Sequence, residues 1–236
     1  MKSIPRLLVL ALLLGAAPAA QSQNVQVTPA PAAGTVFVVT YIDVALASVP
    51  QAIGLLRQYR DELRTSGNAG ADIYEELGRP YRFAITEQWK DRATFDAHKA
   101  GPEATQLMAG LKDIRTAPTD SYVFEGYSVS TVKNPPGGRG RAYGISRFEI
   151  PAARLAAFGA LVKPYIETSR AEHGELRFDV LQELKPHQNR VTILDWWGDP
   201  QDYENHRSSP AAQKFREGLA PTLIGSYDDR LYGKFD

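Results

Sequence analysis

Trp89 and Trp197, His98 and His206, and Pro102 and Pro210 each stand 108 positions apart. Around them, Glu87-Gln88-Trp89-Lys90-Asp91 with Phe95 is echoed by Asp195-Trp196-Trp197-Gly198-Asp199 with Tyr203, and Gly110-Leu111 by Gly218-Leu219. One offset held across the whole stretch marks an internal duplication. Upstream, Glu76-Leu77 matches Glu183-Leu184 at an offset of 107 and Tyr59 matches Tyr165 at 106, as one-residue loop insertions would produce. The copies therefore span 35–131 and 141–236. The intervening stretch 132–140 carries Asn134-Pro135-Pro136-Gly137-Gly138-Arg139-Gly140, whose prolines and glycines suit a linker and cannot continue a helix or a central strand.

Each copy reads as the same series of elements. Val36 to Ile42 is β-branched and aromatic, which predicts a strand. Ser48 and Pro50 open a helix with Ile53, Leu56, Tyr59 and Leu63 at helical spacing, ended by Gly67 to Gly70. Ile73 to Leu77 and Tyr81 to Trp89 flank Gly78-Arg79-Pro80 as a hairpin. Asp91 caps a short helix through Phe95 and His98, Pro102 starts another, and Tyr122 to Tyr127 closes as a strand. The second copy repeats this with Tyr143 to Ile150, a helix across Ala152 to Glu172, strands Arg177 to Leu184 and Arg190 to Trp197, helices from Pro200 and Pro210, and a strand at Asp229 to Phe235. The order β-α-β-β-α-β is the ferredoxin-like split unit, so the fold class is α+β. A sheet with helices on one face leaves its other face bare, and two such sheets packed together bury both.

Lys2 and Arg6 precede the apolar run Leu7 to Leu14 and the small-residue stretch Gly15 to Ala20. That is the layout of a cleaved signal peptide over 1–20, because the apolar core is about half of the ~20 residues a membrane span needs. The expectation is a periplasmic or secreted protein without a stable membrane anchor. Residues 21–34 are polar and Pro-containing and read as a flexible leader outside the fold. With 27 Lys+Arg against 27 Asp+Glu there is no basic excess, so nucleic acid is not an expected partner. The absence of cysteine removes disulfides, thiolate nucleophiles and Cys-ligated metal.

Through the strand-ending Glu-x-Trp, the capping Asp, an aromatic, a His and a helix-starting Pro, each copy resembles the antibiotic biosynthesis monooxygenase family of dimeric α+β barrels. The motif here is Glu87 to His98, echoed by Asp195 to His206, with Asp195 in place of the Glu. The resemblance implies an intramolecular version of the family's dimeric barrel. It also implies oxygenation of a small aromatic, quinol or anthrone-type compound by O₂, with neither metal nor flavin as cofactor. Heme-degrading relatives carry a Trp near the place of His98 and His206 and an axial His further on, where this chain has Met108 and Arg216, so heme is disfavoured.

His98 and His206 are the candidate catalytic residues, since a neutral imidazole can serve as general base near neutral pH; the alternative is a structural histidine that fixes the helix against the strand. Trp89, Trp197, Tyr41, Tyr74, Phe83, Tyr143 and Phe178 are the candidate substrate-binding residues of an aromatic cavity between the sheets, with Tyr81, Tyr165 and Phe148 of similar promise. Trp196 and Trp197 cannot both face that cavity, because adjacent strand residues point to opposite faces. Arg82, Arg147 and Arg177 sit in strand patterns, either inward as oxyanion partners or outward as solvated charges. His173 and His187 fall in loops without matched carboxylates, and no metal site is expected. Rival readings are a non-catalytic ligand-binding or stress-responsive protein of this fold, and homo-oligomeric assembly through exposed sheet edges.

Overall fold

The computed structural model describes residues 26–64, 70–134, 140–225 and 227–234. The expected signal peptide, the turn Gly67 to Ala69 and most of the Pro/Gly linker lie outside these described residues. Among the described residues, ten strands and six α-helices follow one another in chain order. A short strand β1 (Gln26–Thr28) precedes the first repeat, which runs β2 (Val36–Asp43), α1 (Val49–Leu63), β3 (Gly70–Glu76), β4 (Arg79–Trp89), α2 (Arg92–Lys99), α3 (Pro102–Leu111) and β5 (Asp120–Ser128). After β6 (Val132–Asn134) the second repeat runs β7 (Ala142–Glu149), α4 (Leu155–Ser169), β8 (Glu175–Glu183), β9 (Arg190–Trp197), α5 (Pro200–Ser208), α6 (Pro210–Leu219) and β10 (Asp228–Lys234).

The two four-stranded sheets join at both edges. β5 of the first repeat pairs antiparallel with β8 of the second, and β10 of the second with β3 of the first, closing an eight-stranded barrel in the order β10-β3-β4-β2-β5-β8-β9-β7. Closure gives every one of these strands two neighbours, so the barrel offers no free edge for the edge-to-edge assembly weighed above. The leader was expected to lie outside the fold, yet Gln26 to Thr28 pairs with Val132 to Asn134 as a two-stranded ribbon. Three residues are too few to show alternation, and the partner lies far away in the chain.

Period-two alternation gives each strand two jobs. In β2, Val36, Val38 and Ile42 face the helices, whereas Phe37 and Val39 face the opposite sheet. In β9, Trp197 packs under the helices and Trp196 faces the other sheet, which resolves the adjacent pair. Three cores result: one under the helices of each repeat, and one between the sheets built from Phe37, Tyr74, Phe124, Tyr143 and Tyr232 with Val39, Ile145 and Leu181.

Local signals set the helices. Asp91 and Asp199 accept the backbone N–H of Thr94 and Asp202 at 2.8 and 2.9 Å, fixing where α2 and α5 begin. A Cβ on Gly110 or on Gly218 would stand 2.7 Å from Leu55 or Leu161, so the paired glycines let α3 and α6 approach α1 and α4 closely. Among the described residues no helix is long and apolar enough to cross a membrane.

Because the inter-sheet core and the cross-repeat ladders join the halves, the linker is not needed to hold them. The two repeats, produced as separate chains cut within 135–139, are expected to co-purify as a one-to-one complex on size exclusion. Two non-interacting species would refute this.

Candidate functional site

A pocket of about 180 Å³ borders the inter-sheet core beside Phe37, Arg177, Leu194 and Trp196, but the larger cavity is elsewhere. It lies in the first repeat, between the outer face of the sheet and helices α2 and α3, with a volume of about 570 Å³. Val38, Ile85, Phe95, Leu107 and Met108 give it apolar walls; Tyr59, Glu87 and His98 stand together in it; Thr40, Thr119, Ser121 and Lys99 supply further polar lining.

Strand alternation and helix phase bring the central group together. Glu87 and Trp89, two apart on β4, point to the same face, under Tyr59 of α1 and His98 of α2. The Tyr59 hydroxyl donates to Glu87 Oε1 at 2.7 Å, and Trp89 Nε1 donates to Glu87 Oε2 at 2.9 Å. Tyr59 Oη lies 2.9 Å from His98 Nε2, and the Trp89 ring stacks on His98 with centroids 4.6 Å apart. A phenol has one hydrogen to give. With that hydrogen committed to Glu87, His98 Nε2 is the donor to the tyrosine oxygen, which leaves Nδ1 as the basic nitrogen of the neutral ring. Burial, then the neighbouring Glu87 charge, pushes the Tyr59 pKa up, so it remains a phenol that relays hydrogen bonds and is not a base.

The second repeat keeps the scaffold and changes the wiring. Asp195 stands where Glu87 does, one methylene shorter, and accepts from Trp197 Nε1 at 3.0 Å. Tyr165 Oη lies 2.9 Å from His206 Nε2, and His206 Nδ1 lies 2.7 Å from Glu172 Oε2. The Glu172 carboxylate accepts a hydrogen bond from Nδ1–H, so Nε2 accepts from the Tyr165 hydroxyl, the reverse of the tautomer in the first repeat. Burial holds the His206 pKa down despite Glu172. A Cβ on residue 144 would fall 2.1 Å from Asp195 Oδ1, so Gly144 makes room for this carboxylate where the first repeat has Val38.

The space equivalent to the cavity is occupied. By strand register and helix offset, Leu107 corresponds to Phe215 and Thr119 to Tyr227. Phe215 stacks on Tyr165 at 4.2 Å, and the Tyr227 ring lies 5.8 Å from Phe148 with its hydroxyl donating to Ser146 Oγ at 3.1 Å.

Of the residues singled out from the sequence, His98 lines the cavity and Trp89 supports it from behind. His206 and Trp197 form the filled counterpart. Tyr41, Tyr74 and Tyr143 belong to the inter-sheet core, and Phe83 and Phe178 to the cores under the helices, so the structure separates these five from the cavity. Among the similar aromatics, Tyr165 and Phe148 are core residues of the second repeat and Tyr81 packs at the edge of the first core. The arginines are not at the cavity: Arg177 is buried, 2.6 Å from Asp179 and over the Trp196 ring; Arg147 lies over Tyr122 and Tyr41; Arg82 pairs with Asp43 at 3.3 Å. Tyr59 and Glu87 are the site residues that the sequence reading did not assign. Among the described residues no group of three or more His, Asp or Glu side chains is arranged to hold a metal ion.

The sequence pattern of the family described as "Antibiotic biosynthesis monooxygenase" matches residues 35–110 and again 143–218, together more than half of the chain. The chain belongs to the antibiotic biosynthesis monooxygenase family. A member-like protein of Bacillus subtilis (strain 168), named "Putative monooxygenase YcnE", is 31% identical over 70 residues, which is 30% of this chain and 70% of that one. Among solved structures, a "Putative monooxygenase" of Fusobacterium nucleatum subsp. nucleatum superposes with a TM-score of 0.75 at 14% identity, covering 86% of this chain and 94% of the other. An "anthrone oxidase-like protein" superposes with a TM-score of 0.69 at 13% identity, covering 89% and 95%. At those identities the superpositions establish the shared fold. Within the antibiotic biosynthesis monooxygenase fold, the tandem chain described here carries one open and one filled version of the same site.

Burial, with Asp229 adding to it, pushes Asp195 up to about 7 from a reference value of 3.8. Between those values the folded chain holds a proton that the unfolded chain has released, so this group makes stability fall as pH rises through that window. The full effect is on the order of 4 kcal/mol. Asp195→Asn is expected to flatten the stability-against-pH curve between pH 4 and pH 7 in urea titrations; an unchanged slope would show that Asp195 titrates normally.

Proposed function

We propose that the protein is an exported, cofactor-independent monooxygenase that oxidises a small aromatic, quinol or anthrone-type compound with O₂ in the cavity of the first repeat. The observation that carries the proposal is the hydrogen-bonded group His98, Tyr59 and Glu87 against the apolar walls of a pocket, polar elsewhere at Thr40, Ser121 and Lys99, that is large enough for fused aromatic rings. The signal-like N-terminal sequence supports the export part of the reading, and membership of the monooxygenase family supports the reaction class.

In this reading, the His98–Tyr59–Glu87 group takes the acidic proton of the bound substrate, with His98 Nδ1 as the accepting atom and Glu87 balancing the imidazolium through Tyr59. The resulting anion is electron-rich enough to pass one electron to O₂. Recombination of the substrate radical with superoxide, followed by proton return, forms a carbon–oxygen bond to a hydroperoxide. Loss of water then breaks the O–O bond and leaves a carbonyl, so a methylene and O₂ become a ketone and water. The apolar walls favour this sequence by excluding bulk water from the anion and radical.

One observation favours a second reading. The second repeat retains the tyrosine–histidine bond with its cavity filled, as a purely structural histidine would. Oxygen uptake with a panel of quinols and anthrones separates the two. Above autoxidation, uptake is expected to fall about 100-fold or more in His98→Ala and Glu87→Gln, and to persist in a folded His206→Ala. Uptake no greater than autoxidation across the panel would leave ligand binding as the function.

A further inference from the structure

The side chains that fill the second repeat outline what the first is shaped to receive. Register pairs Thr40 with Ser121 and Ser146 with Asp229, so Asp229 is the counterpart of Ser121 and Ser146 that of Thr40. The constant offset makes Arg207 the counterpart of Lys99 and Tyr227 that of Thr119. In the second repeat the Asp229 carboxylate is received by a hydroxyl, a phenol and a cation: Ser146 Oγ donates at 2.9 Å, Tyr203 Oη at 3.4 Å, and Arg207 Nε lies 3.7 Å away. The Tyr227 ring lies beside this carboxylate and shares Ser146 with it.

In the first repeat most of the receptor remains and the carboxylate does not. Thr40 Oγ1 and Ser121 Oγ lie 2.7 Å apart and hydrogen-bond to each other, which uses one hydrogen and leaves the other free to donate. Lys99 has no carboxylate partner among the described residues, and Asp96, on the same helix, is engaged by Arg92 at 2.8 Å. Thr40, Ser121 and Lys99 all line the cavity. No ring stands at position 119, and Leu107 replaces Phe215, so an aromatic volume has been vacated beside the vacated carboxylate. Glu87 is the cavity's own carboxylate and would repel a second anion placed beside it, which directs the ligand's acidic group toward Lys99.

The geometry points to an aromatic carboxylic acid as the ligand of the first repeat. Its ring takes the space held in the second repeat by Tyr227 and Phe215, and its carboxylate takes the position of the Asp229 carboxylate, received by Thr40, Ser121 and Lys99. The opposite end of the ring, with its hydroxyl or methylene, faces His98 and Glu87. That last placement rests on the oxygenase reading; the recognition of the carboxylate does not.

A matched pair of probes tests this: a dihydroxynaphthoic acid and the dihydroxynaphthalene that lacks only its carboxylate. Calorimetric titration of the purified protein under argon is expected to give a Kd for the acid about tenfold or more below that of the neutral quinol. Lys99→Gln, a surface change that spares the core, should lose most of that preference. Ser121→Asp, which writes the second repeat's own carboxylate into the first, should abolish it, the preference being read in each variant as the ratio of the two Kd values. Failure of the acid to bind, equal affinity for the two probes, or a preference that survives both substitutions would overturn the assignment. Oxygen uptake with the same pair is read separately. Acid-selective binding without uptake would reject the oxygenase reading and keep the carboxylate site, whereas equal Kd with uptake of both would do the reverse.

Discussion

Everything in this chain depends on the two edge ladders that cross between the repeats, β5 with β8 and β10 with β3. A four-stranded sheet with helices on one side has a bare face and two open edges, and one repeat alone resolves neither. Joining two copies edge to edge and face to face settles both in one step, and the tyrosines and phenylalanines between the sheets supply the burial. That packing also decides where chemistry can occur. With the barrel interior packed by Phe37, Phe124, Tyr74, Tyr143 and Tyr232, the larger space for a ligand, about 570 Å³ against about 180 Å³ beside the inter-sheet core, is on the other face, beneath helices.

Tandem fusion removes the symmetry that a homodimer would impose. A homodimer must present two identical sites, while here the two copies have diverged on one scaffold. The tryptophan, histidine and tyrosine persist in both. Around them, Leu107 and Thr119 leave a cavity where Phe215 and Tyr227 fill one, and Glu87 reaches Tyr59 where Asp195 does not. The second repeat has thereby become a packed half that completes the barrel, and its buried Asp195 costs stability as pH rises toward and above neutral.

Much of the fold was legible in the sequence because duplication and alternation are one-dimensional signals. The offset of 108 between Trp89 and Trp197 located the repeats, Asp91 and Asp199 marked helix starts, and adjacency of Trp196 and Trp197 required them to face opposite ways. What alternation does not say is which face holds the void, and so Tyr41, Tyr74 and Tyr143 were assigned to a cavity although they pack against the opposing sheet. Glu87 carried a usable signal: an acid two positions before a tryptophan, repeated as Asp195, must share that tryptophan's face. Tyr59 was visible as a repeated helix position, but only the fold shows that its hydroxyl reaches Glu87. The pairing of Gln26 to Thr28 with residues beyond β5 was not legible, since it depends on a distant partner strand.

The central claim is that one repeat binds and the other only supports. Native mass spectrometry of the purified chain with an aromatic quinol at saturating concentration tests it directly, read beside Leu107→Phe with Thr119→Tyr, which copies the second repeat's filling into the first. The account predicts one ligand per chain, and none in the double variant. Two ligands per chain, or one that survives the double substitution, would contradict it.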